Sequence, residues 1–129
     1  MPPPPRDPAP CEHTGQKRRS SAHPAALRQA AALFQALGDS ERLRLLDLLA
    51  QGEACVSELV AATGASFSTV SQRLRVLRTE GVVSARREGK HVFYRLADAH
   101  IESLVHNALE HALEHKSPHV TKGEEHEQA

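Results

Sequence analysis

Four side chains near the C-terminus have the types and spacing of metal ligands. Asp98 and His100 stand together, and His111 and Glu114 follow eleven and fourteen residues after the first histidine. Eleven residues are three turns of an α-helix, so both histidines share one face but lie about 16 Å apart. Because metal–nitrogen bonds are about 2 Å long, one helix cannot hold a single ion with both pairs. The spacing therefore predicts a metal site that forms only when a second copy of the helix runs antiparallel beside the first.

The helix that must position these ligands is amphipathic. It is expected from about Asp98 to His115, before Pro118. Its apolar face is wider than one small domain can cover, which indicates that the helix packs against its copy in a dimer. The apolar residues are Ile101, Leu104, Val105, Ala108, Leu109, Ala112 and Leu113.

Composition sets the class of protein. The 129 residues suffice for one domain with unstructured ends, and a 40% hydrophobic but only 3% aromatic content predicts a helical core of Leu, Val and Ala. With no apolar run near 18 residues and no signal peptide, we expect a soluble, cytoplasmic protein without membrane contact. Cys11 and Cys55 are the only thiols, which argues against a disulfide scaffold.

Three segments follow from the patterning. Residues 1–23 are rich in proline and then basic, and they predict a disordered N-terminal arm. Residues 24–116 carry the helical and strand periodicity of one domain, and the polar residues 117–129 predict a disordered tail. The first helix is expected from Pro24 to Gly38, and the second after the Asp39-Ser40 cap.

The middle of the domain predicts a helix-turn-helix. A third helix spans Val56–Thr63, Gly64 breaks it, and Ser66 caps a fourth helix that runs through Arg78. In the fourth helix Val70, Leu74 and Leu77 form a buried stripe, and the other face mixes small hydroxyl donors with long basic side chains. Such a face suits entry into the major groove of duplex DNA. The candidate DNA-binding residues on it are Ser66, Ser68, Thr69, Ser71, Gln72, Arg73 and Arg75.

A β-hairpin is expected next, with strands at Val82–Arg87 and His91–Leu96 around a turn at 88–90. Arg86, Arg87 and Lys90 give it a basic tip suited to backbone phosphates. Residues 66–95 carry seven basic and two acidic side chains, a net charge of +5, whereas residues 96–129 carry −5. The basic segment predicts contact with nucleic acid, and the acidic, histidine-rich segment predicts contact with cations.

The chain resembles the ArsR/SmtB family of winged-helix metal-sensing repressors over about residues 24–116. The matching segments begin Phe34-Gln-Ala-Leu-Gly-Asp-Ser-Glu-Arg-Leu, Ala54-Cys-Val-Ser-Glu-Leu and Phe67-Ser-Thr-Val-Ser-Gln-Arg-Leu, and continue in Gly89-Lys-His-Val-Phe-Tyr-Arg-Leu and the closing 98–114 segment. The resemblance implies a mainly α fold with a β-hairpin wing (α+β), and a homodimer through the N- and C-terminal helices. It also implies repression of genes by binding double-stranded operator DNA, with release when metal binds.

The resemblance further implies the metal and its ligands. In the zinc-sensing branch, four ligands of the C-terminal helix fall at the positions of Asp98, His100, His111 and Glu114. Two nitrogen and two oxygen donors suit Zn²⁺, with Co²⁺ or Cd²⁺ as alternatives. His115, four residues after His111, is an alternative fourth ligand to Glu114.

A second family site joins the third helix to the N-terminal arm through thiolates. Here its core reads Cys55-Val56-Ser57-Glu58, so one of its two thiols is absent. The resemblance offers Cys11 and His13 from the arm, with Cys55 and Glu58 from the helix of the other subunit, as a possible second metal site. The recognition helix departs from the pattern as well, since many members have histidine where Gln72 stands.

Three other functions compete with a metal-responsive repressor. A histidine-rich zinc buffer without DNA binding would not explain the net charge of +5 on residues 66–95. A metal-independent regulator, or one responsive to another ligand, would keep the same fold and leave the histidines incidental. A zinc hydrolase would need an open coordination position and a general base in a pocket, which a closed four-ligand site does not offer, so the chain is not expected to be an enzyme.

Overall fold

The computed structural model describes residues 1–5 and 17–115, and within them the chain forms five helices and one small sheet. Cys11, His13 and the tail at 117–129 lie outside the described residues, so their predictions are not tested. The elements in chain order are α1 (Pro24–Leu37), α2 (Ser40–Leu49), β1 (Ala54–Cys55), α3 (Val56–Thr63), α4 (Phe67–Thr79), β2 (Val83–Glu88), β3 (His91–Leu96) and α5 (Ala99–Glu114).

Side-chain caps start the helices where the sequence predicts them. Asp39, Ser66 and Asp98 each accept a hydrogen bond from the backbone N–H three residues further on, at 2.9, 3.2 and 3.0 Å. These bonds satisfy backbone donors that have no partner inside the helix. Gly64 ends α3 in the left-handed conformation with a φ of 77°, which residues with a Cβ rarely adopt. The helix boundaries are therefore set by local chemistry.

The sheet is antiparallel, with strand order β1-β3-β2. The hairpin β2–β3 is the predicted wing, although β2 begins at Val83 and ends at Glu88, one residue later than expected. The strand β1 was not predicted. Its two residues pair with the wing at Ala54–Tyr94 and Cys55–Phe93, so the segment before α3 is joined to β3.

One hydrophobic core holds the helices and the sheet together. The stripe of α4 is fully buried against leucines of α2 and α3, Val82 and Val83 beside the wing, and two residues of α5. The predicted winged helix-turn-helix is thus confirmed. Its completely buried side chains are Leu45, Leu46, Leu59, Val70, Leu74, Leu77, Val82 and Val105.

The first and last helices leave apolar side chains uncovered in a single chain. Arg42 fastens α1 to α2, because its Nε donates to the Ala36 carbonyl at 2.6 Å. Yet Leu27 and Phe34 on α1 are 51% and 59% exposed, and Leu113 on α5 is 72% exposed. Burial of such residues is worth about 1.5–3 kcal/mol each, so these faces are suited to contact with another surface. Among the described residues, no helix combines the length and the apolar character needed to cross a bilayer.

The core makes a stability prediction that also tests the orientation of α4. Leu74→Ala should lower the free energy of unfolding by about 2–5 kcal/mol, because the side chain is completely buried and its removal leaves a cavity. Gln72→Ala, on the exposed face of the same helix, should change it by less than about 0.5 kcal/mol. Urea unfolding followed by circular dichroism measures both, and equal losses for the two variants would contradict this orientation.

Candidate DNA interface and metal centre

The polar residues at the start of α4 are of two kinds: some cap the helix, and others are free to contact another molecule. Ser66 Oγ accepts the Thr69 backbone N–H at 3.2 Å and donates to Thr69 Oγ1 at 2.8 Å, so the two hydroxyls bond to each other and the Ser66 hydroxyl also caps the helix. Ser68, one residue into the helix after Phe67, is exposed and lies 3.4 Å from Ser66 between hydroxyl oxygens. Ser66 and Thr69 therefore shape the entry of the helix, and Ser68 is the freer donor.

Further along α4, Gln72 and Arg75 point away from the core. Both are exposed, whereas Ser71 and Arg73 are half-buried. Arg73 Nη1 lies 3.9 Å from a carboxylate oxygen of Glu41 on α2. The outward face predicted for the recognition helix is thus present, with Gln72 and Arg75 as its long exposed side chains.

Phe67 is a residue of this surface that the sequence analysis did not select. It is the first residue of α4 and is 60% exposed, beside Ser66 and Ser68. Phe67 lies three residues before Val70 and seven before Leu74, so helical spacing alone would place it on the buried stripe, and its exposure could not be predicted from the pattern. Apolar side chains contact thymine methyl groups in the major groove, so Phe67 joins the candidate DNA-contacting residues.

The basic residues of the wing differ in their surroundings. Arg86 is held by two carboxylates: its Nε and Nη2 donate to Glu53 at 2.8 and 2.7 Å, and its Nη1 donates to Glu88 at 2.6 Å. Its guanidinium also lies 4.9 Å from the ring centroid of Phe93. The bond from Arg86 lowers the pKa of Glu53, and the two carboxylates raise the pKa of Arg86.

Arg87 and Lys90, by contrast, are exposed at the tip and form no ion pair within residues 17–115. The basic tip predicted from the sequence thus contains two unpaired cations and one arginine committed to internal contacts. The prediction that Arg86 contacts DNA stays a prediction; each of its three side-chain nitrogens donates one hydrogen bond to a carboxylate, which uses three of its five N–H donors.

The two predicted ligand pairs lie at opposite ends of α5. Asp98 is the N-cap and His100 is in the first turn, with Asp98 Oδ1 and His100 Nδ1 3.8 Å apart. His111 and Glu114 lie in the last turn and are exposed. In the described part of the chain, no three such donors of one copy converge on a point that could hold an ion. The pairs are three turns apart, as the spacing requires.

The donors at both ends fit a zinc ion in chemistry and accessibility. His100 is 99% exposed at its side chain and Asp98 is 56% exposed, so neither is committed to the core. Asp98 uses Oδ1 to cap α5, and a carboxylate retains further acceptor positions. Two imidazoles and two carboxylates are a donor set that Zn²⁺ accepts. The rings of His111 and His115 are 4.2 Å apart, which keeps His115 beside the C-terminal pair as an alternative donor.

The thiol side of the second candidate site has a structural task of its own. Cys55 is half-buried at the N-cap of α3, and its backbone N–H donates to Glu58 Oε1 at 3.0 Å. This bond lowers the pKa of Glu58. Cys55 and Glu58 are therefore adjacent, while Cys11 and His13 lie outside the described residues, so the structure brings together half of this set.

Several known proteins are similar to this chain in sequence. The family described as "Bacterial regulatory protein, arsR family" matches residues 39–85, from the cap of α2 into β2. A transcriptional repressor SmtB homolog of Synechocystis sp. is 45% identical over 86 residues, covering 67% of this chain and 65% of that protein. A cadmium resistance transcriptional regulatory protein CadC homolog of Staphylococcus aureus is 38% identical, covering 65% of this chain and 70% of that protein.

A solved structure is similar as well. It is the homodimeric winged helix-turn-helix DNA-binding domain of a possible ArsR-family transcriptional regulator from Mycobacterium bovis. It is 38% identical to this chain, the alignment covers 79% of this chain and 94% of that one, and the TM-score is 0.70.

The serines at the start of α4 allow a test of their separate tasks. Ser66→Ala should lower the free energy of unfolding by about 1 kcal/mol, because it removes the acceptor for a backbone N–H of the first turn. Ser68→Ala should change it by less than about 0.5 kcal/mol, since Ser68 caps nothing. Thermal and urea unfolding measure both. A loss at Ser68 as large as that at Ser66 would mean that the cap is assigned to the wrong residue.

Proposed function

This chain belongs to the arsR family of bacterial regulatory proteins, and we propose that it is a metal-responsive transcriptional repressor that binds operator DNA as a homodimer. Its relatives are regulators, which confirms the expectation that it is not an enzyme. The observation that carries the proposal is α5, which bears an exposed donor pair at each end and an uncovered apolar residue, Leu113, in its last turn. The chain spans 65% of the length of the SmtB homolog. The activity of that whole protein is therefore only a proposal for this chain.

The proposed dimer uses the apolar surfaces that one chain leaves exposed. Leu27 and Phe34 on α1 and Leu113 on α5 form the uncovered set. A twofold axis perpendicular to α5 would bring its copy alongside in the antiparallel sense, in an isologous contact. The similar domain from Mycobacterium bovis is homodimeric, which supports this assembly.

The proposed metal site is formed by both copies of α5. Asp98 and His100 of one chain and His111 and Glu114 of the other would hold Zn²⁺, with Co²⁺ or Cd²⁺ as alternatives and His115 as an alternative to Glu114. The bound ion would supply a cross-link between the two chains. Two relatives, an SmtB homolog and a cadmium resistance regulator, support the proposal that this chain senses a metal, and they do not decide which metal it is.

The proposed response to metal is a linkage between that seam and the DNA-reading helices. Val105 and Ile101 of α5 pack into the same core as Leu74 of α4, so a fixed placement of the two α5 helices fixes the two α4 helices. A dimer reads two half-sites one helical turn of DNA apart, about 34–36 Å. If the metal-bound placement departs from that separation, DNA affinity falls, and DNA must weaken metal binding by the same factor.

The proposed DNA contacts are the outward residues of α4 and the wing. Ser68, Gln72 and Arg75 face outward on α4, and Arg87 and Lys90 stand at the exposed tip. Ser66, Thr69, Ser71 and Arg73 complete the set predicted for α4, whereas Arg86, also predicted from the sequence, is left out of the proposed contacts because Glu53 and Glu88 hold its guanidinium. The second metal site, with Cys55 and Glu58 beside the arm's Cys11 and His13, is kept as an additional proposal.

The shared site predicts complementation between two inactive variants. A homodimer of His100→Ala lacks one donor in both sites, and so does a homodimer of His111→Ala. After subunit exchange at equal concentrations, half of the dimers are mixed, and each mixed dimer has one intact site because both substitutions fall in the other one. We therefore expect each variant alone to lack the absorption of tetrahedral Co²⁺, and the mixture to recover about a quarter of the wild-type signal.

His106→Ala is the matched control, since His106 is exposed on the same helix but outside the ligand set. It should bind Co²⁺ like the wild type. Recovery of no signal on mixing would contradict a shared site. Binding that persists in both variants and is abolished by Cys55→Ser would instead assign the ion to the second site.

The release of DNA by metal gives a separate prediction. Fluorescence anisotropy on a duplex selected from a random library should show that Zn²⁺ weakens binding by about 5–150-fold, the usual range of such coupling. His111→Ala should bind the same duplex without Zn²⁺ and keep that affinity when Zn²⁺ is added, whereas His106→Ala should respond like the wild type. Wild-type affinity that is indifferent to Zn²⁺, Co²⁺ and Cd²⁺ would favour the metal-independent regulator instead.

A further inference from the structure

Two consecutive arginines of the wing lie on opposite faces of the sheet. Arg86 pairs with Phe93 and Arg87 with Val92 across the β2–β3 ladder. Because side chains of a strand alternate between its faces, Arg87 shares a face with Val83, which is buried against the core, and Arg86 takes the other face. Adjacent positive charges in the sequence are thus placed in different surroundings.

Arg86 links the wing to the segment before α3 through hydrogen bonds. Its Nε and both terminal nitrogens are bonded to Glu53 or Glu88, and Glu53 lies 33 residues away in the chain. A planar guanidinium bonded in this two-pronged manner is fixed in direction as well as position. Its charge is compensated by two carboxylates, and none of its nitrogens is left without a protein acceptor.

Arg87 lies beside a cleft that also contains an arginine of α4 and that Arg86 lines as well. The cleft, about 300 Å³ in volume, is lined by Arg78, Ala85, Arg86, Arg87 and Val92. Arg78 is in the last turn of α4 and is exposed, and neither it nor Arg87 forms an ion pair within the described ranges. The nearby carboxylates of Glu53 and Glu88 are both bonded to Arg86. Two arginines without an ion-pair partner in the described ranges therefore line one opening between the recognition helix and the wing.

We propose that Arg78 and Arg87 form a binding site for one phosphodiester group of the DNA backbone, in the cleft between α4 and the wing, and that Arg86 positions the wing without contacting DNA. The site rests on the proposed function as a DNA-binding protein and adds Arg78 to its contacts. Guanidinium groups bind phosphate through parallel N–H donors, which is why a pair of them suits this ligand. Ala85 and Val92 also line the opening, are half-buried, and have no side-chain acceptor that could compete with a phosphate for the two arginines.

The salt dependence of DNA binding tests the site. The slope of log affinity against log salt concentration is negative, and each phosphate contact that is lost reduces its magnitude by about 0.9. The dimer contains two copies of the site, so Arg78→Ala and Arg87→Ala should each reduce this magnitude by up to about 1.8, measured by anisotropy on a fixed duplex between about 50 and 200 mM salt. Arg78→Lys and Arg87→Lys should retain most of the wild-type slope because they keep the charge.

Arg86→Gln and Arg28→Ala are the comparison variants. Arg86→Gln should weaken binding at every salt concentration and leave the slope unchanged, because it disturbs the orientation of the wing without removing a phosphate contact. Arg28→Ala, on α1, makes the same change in net charge away from the cleft and should leave the slope unchanged. A fall in slope for Arg86→Gln equal to that for Arg87→Ala would overturn the division of tasks. Circular dichroism verifies that each variant is folded.

Two further outcomes separate this site from the function on which it rests. If the wild-type protein binds no duplex DNA even at low salt, the proposed function fails. If it binds with a normal salt dependence that Arg78→Ala and Arg87→Ala leave intact, the phosphodiester site fails alone. Calorimetric titration with inorganic phosphate forms the last arm: saturable binding that both alanine variants abolish, together with an unchanged DNA slope, would make the cleft a free-phosphate site and overturn the proposal.

Discussion

Complete burial of the stripe on α4 is the constraint on which the other surfaces depend. Val70, Leu74 and Leu77 recur at helical spacing and are inaccessible to solvent, so the rotation of α4 about its axis is fixed. Gln72 and Arg75 must then face outward, and Arg78 must emerge beside the wing. Removing a buried leucine would cost several times what any exposed ion pair contributes, so the apolar stripe, and not the charges, determines where the charges point.

The same core covers the first half of α5 and leaves its last turn exposed. Ile101 and Val105 hold its first half, whereas Leu113 and the donors of its last turn stand clear of the chain. A helix cannot shorten the roughly 16 Å between its two donor pairs, because its rise per residue is fixed by backbone hydrogen bonds. The proposed metal site therefore requires the dimer, because one α5 helix cannot bring both of its donor pairs to the same ion.

Much of this structure was accessible from sequence because its signals are local. Asp39 and Ser66 cap their helices through bonds spanning three residues, and Gly64 ends α3 through its own backbone, so the predicted boundaries agree closely with the observed ones. The strand β1 was missed because two residues are too few to show a period. The task of Arg86 was missed because its partner Glu53 is brought close only by pairing of β1 with β3. Long-range contacts of this kind have no signature in either segment. Likewise, the four candidate ligands follow from spacing, while their joint occupancy depends on a second chain.

The short strand β1 has a mechanical consequence. By adding a third strand to the wing, it joins the beginning of α3 to β3 through backbone hydrogen bonds, and the Arg86–Glu53 contact closes a second connection between the same parts. A hairpin with a free edge could swing on its own hinge, but this one is tied on two sides. The beginning of α3 and the wing should consequently move as one rigid unit, and in the proposed homodimer a change in DNA binding would be a rotation of whole protomers about their shared axis.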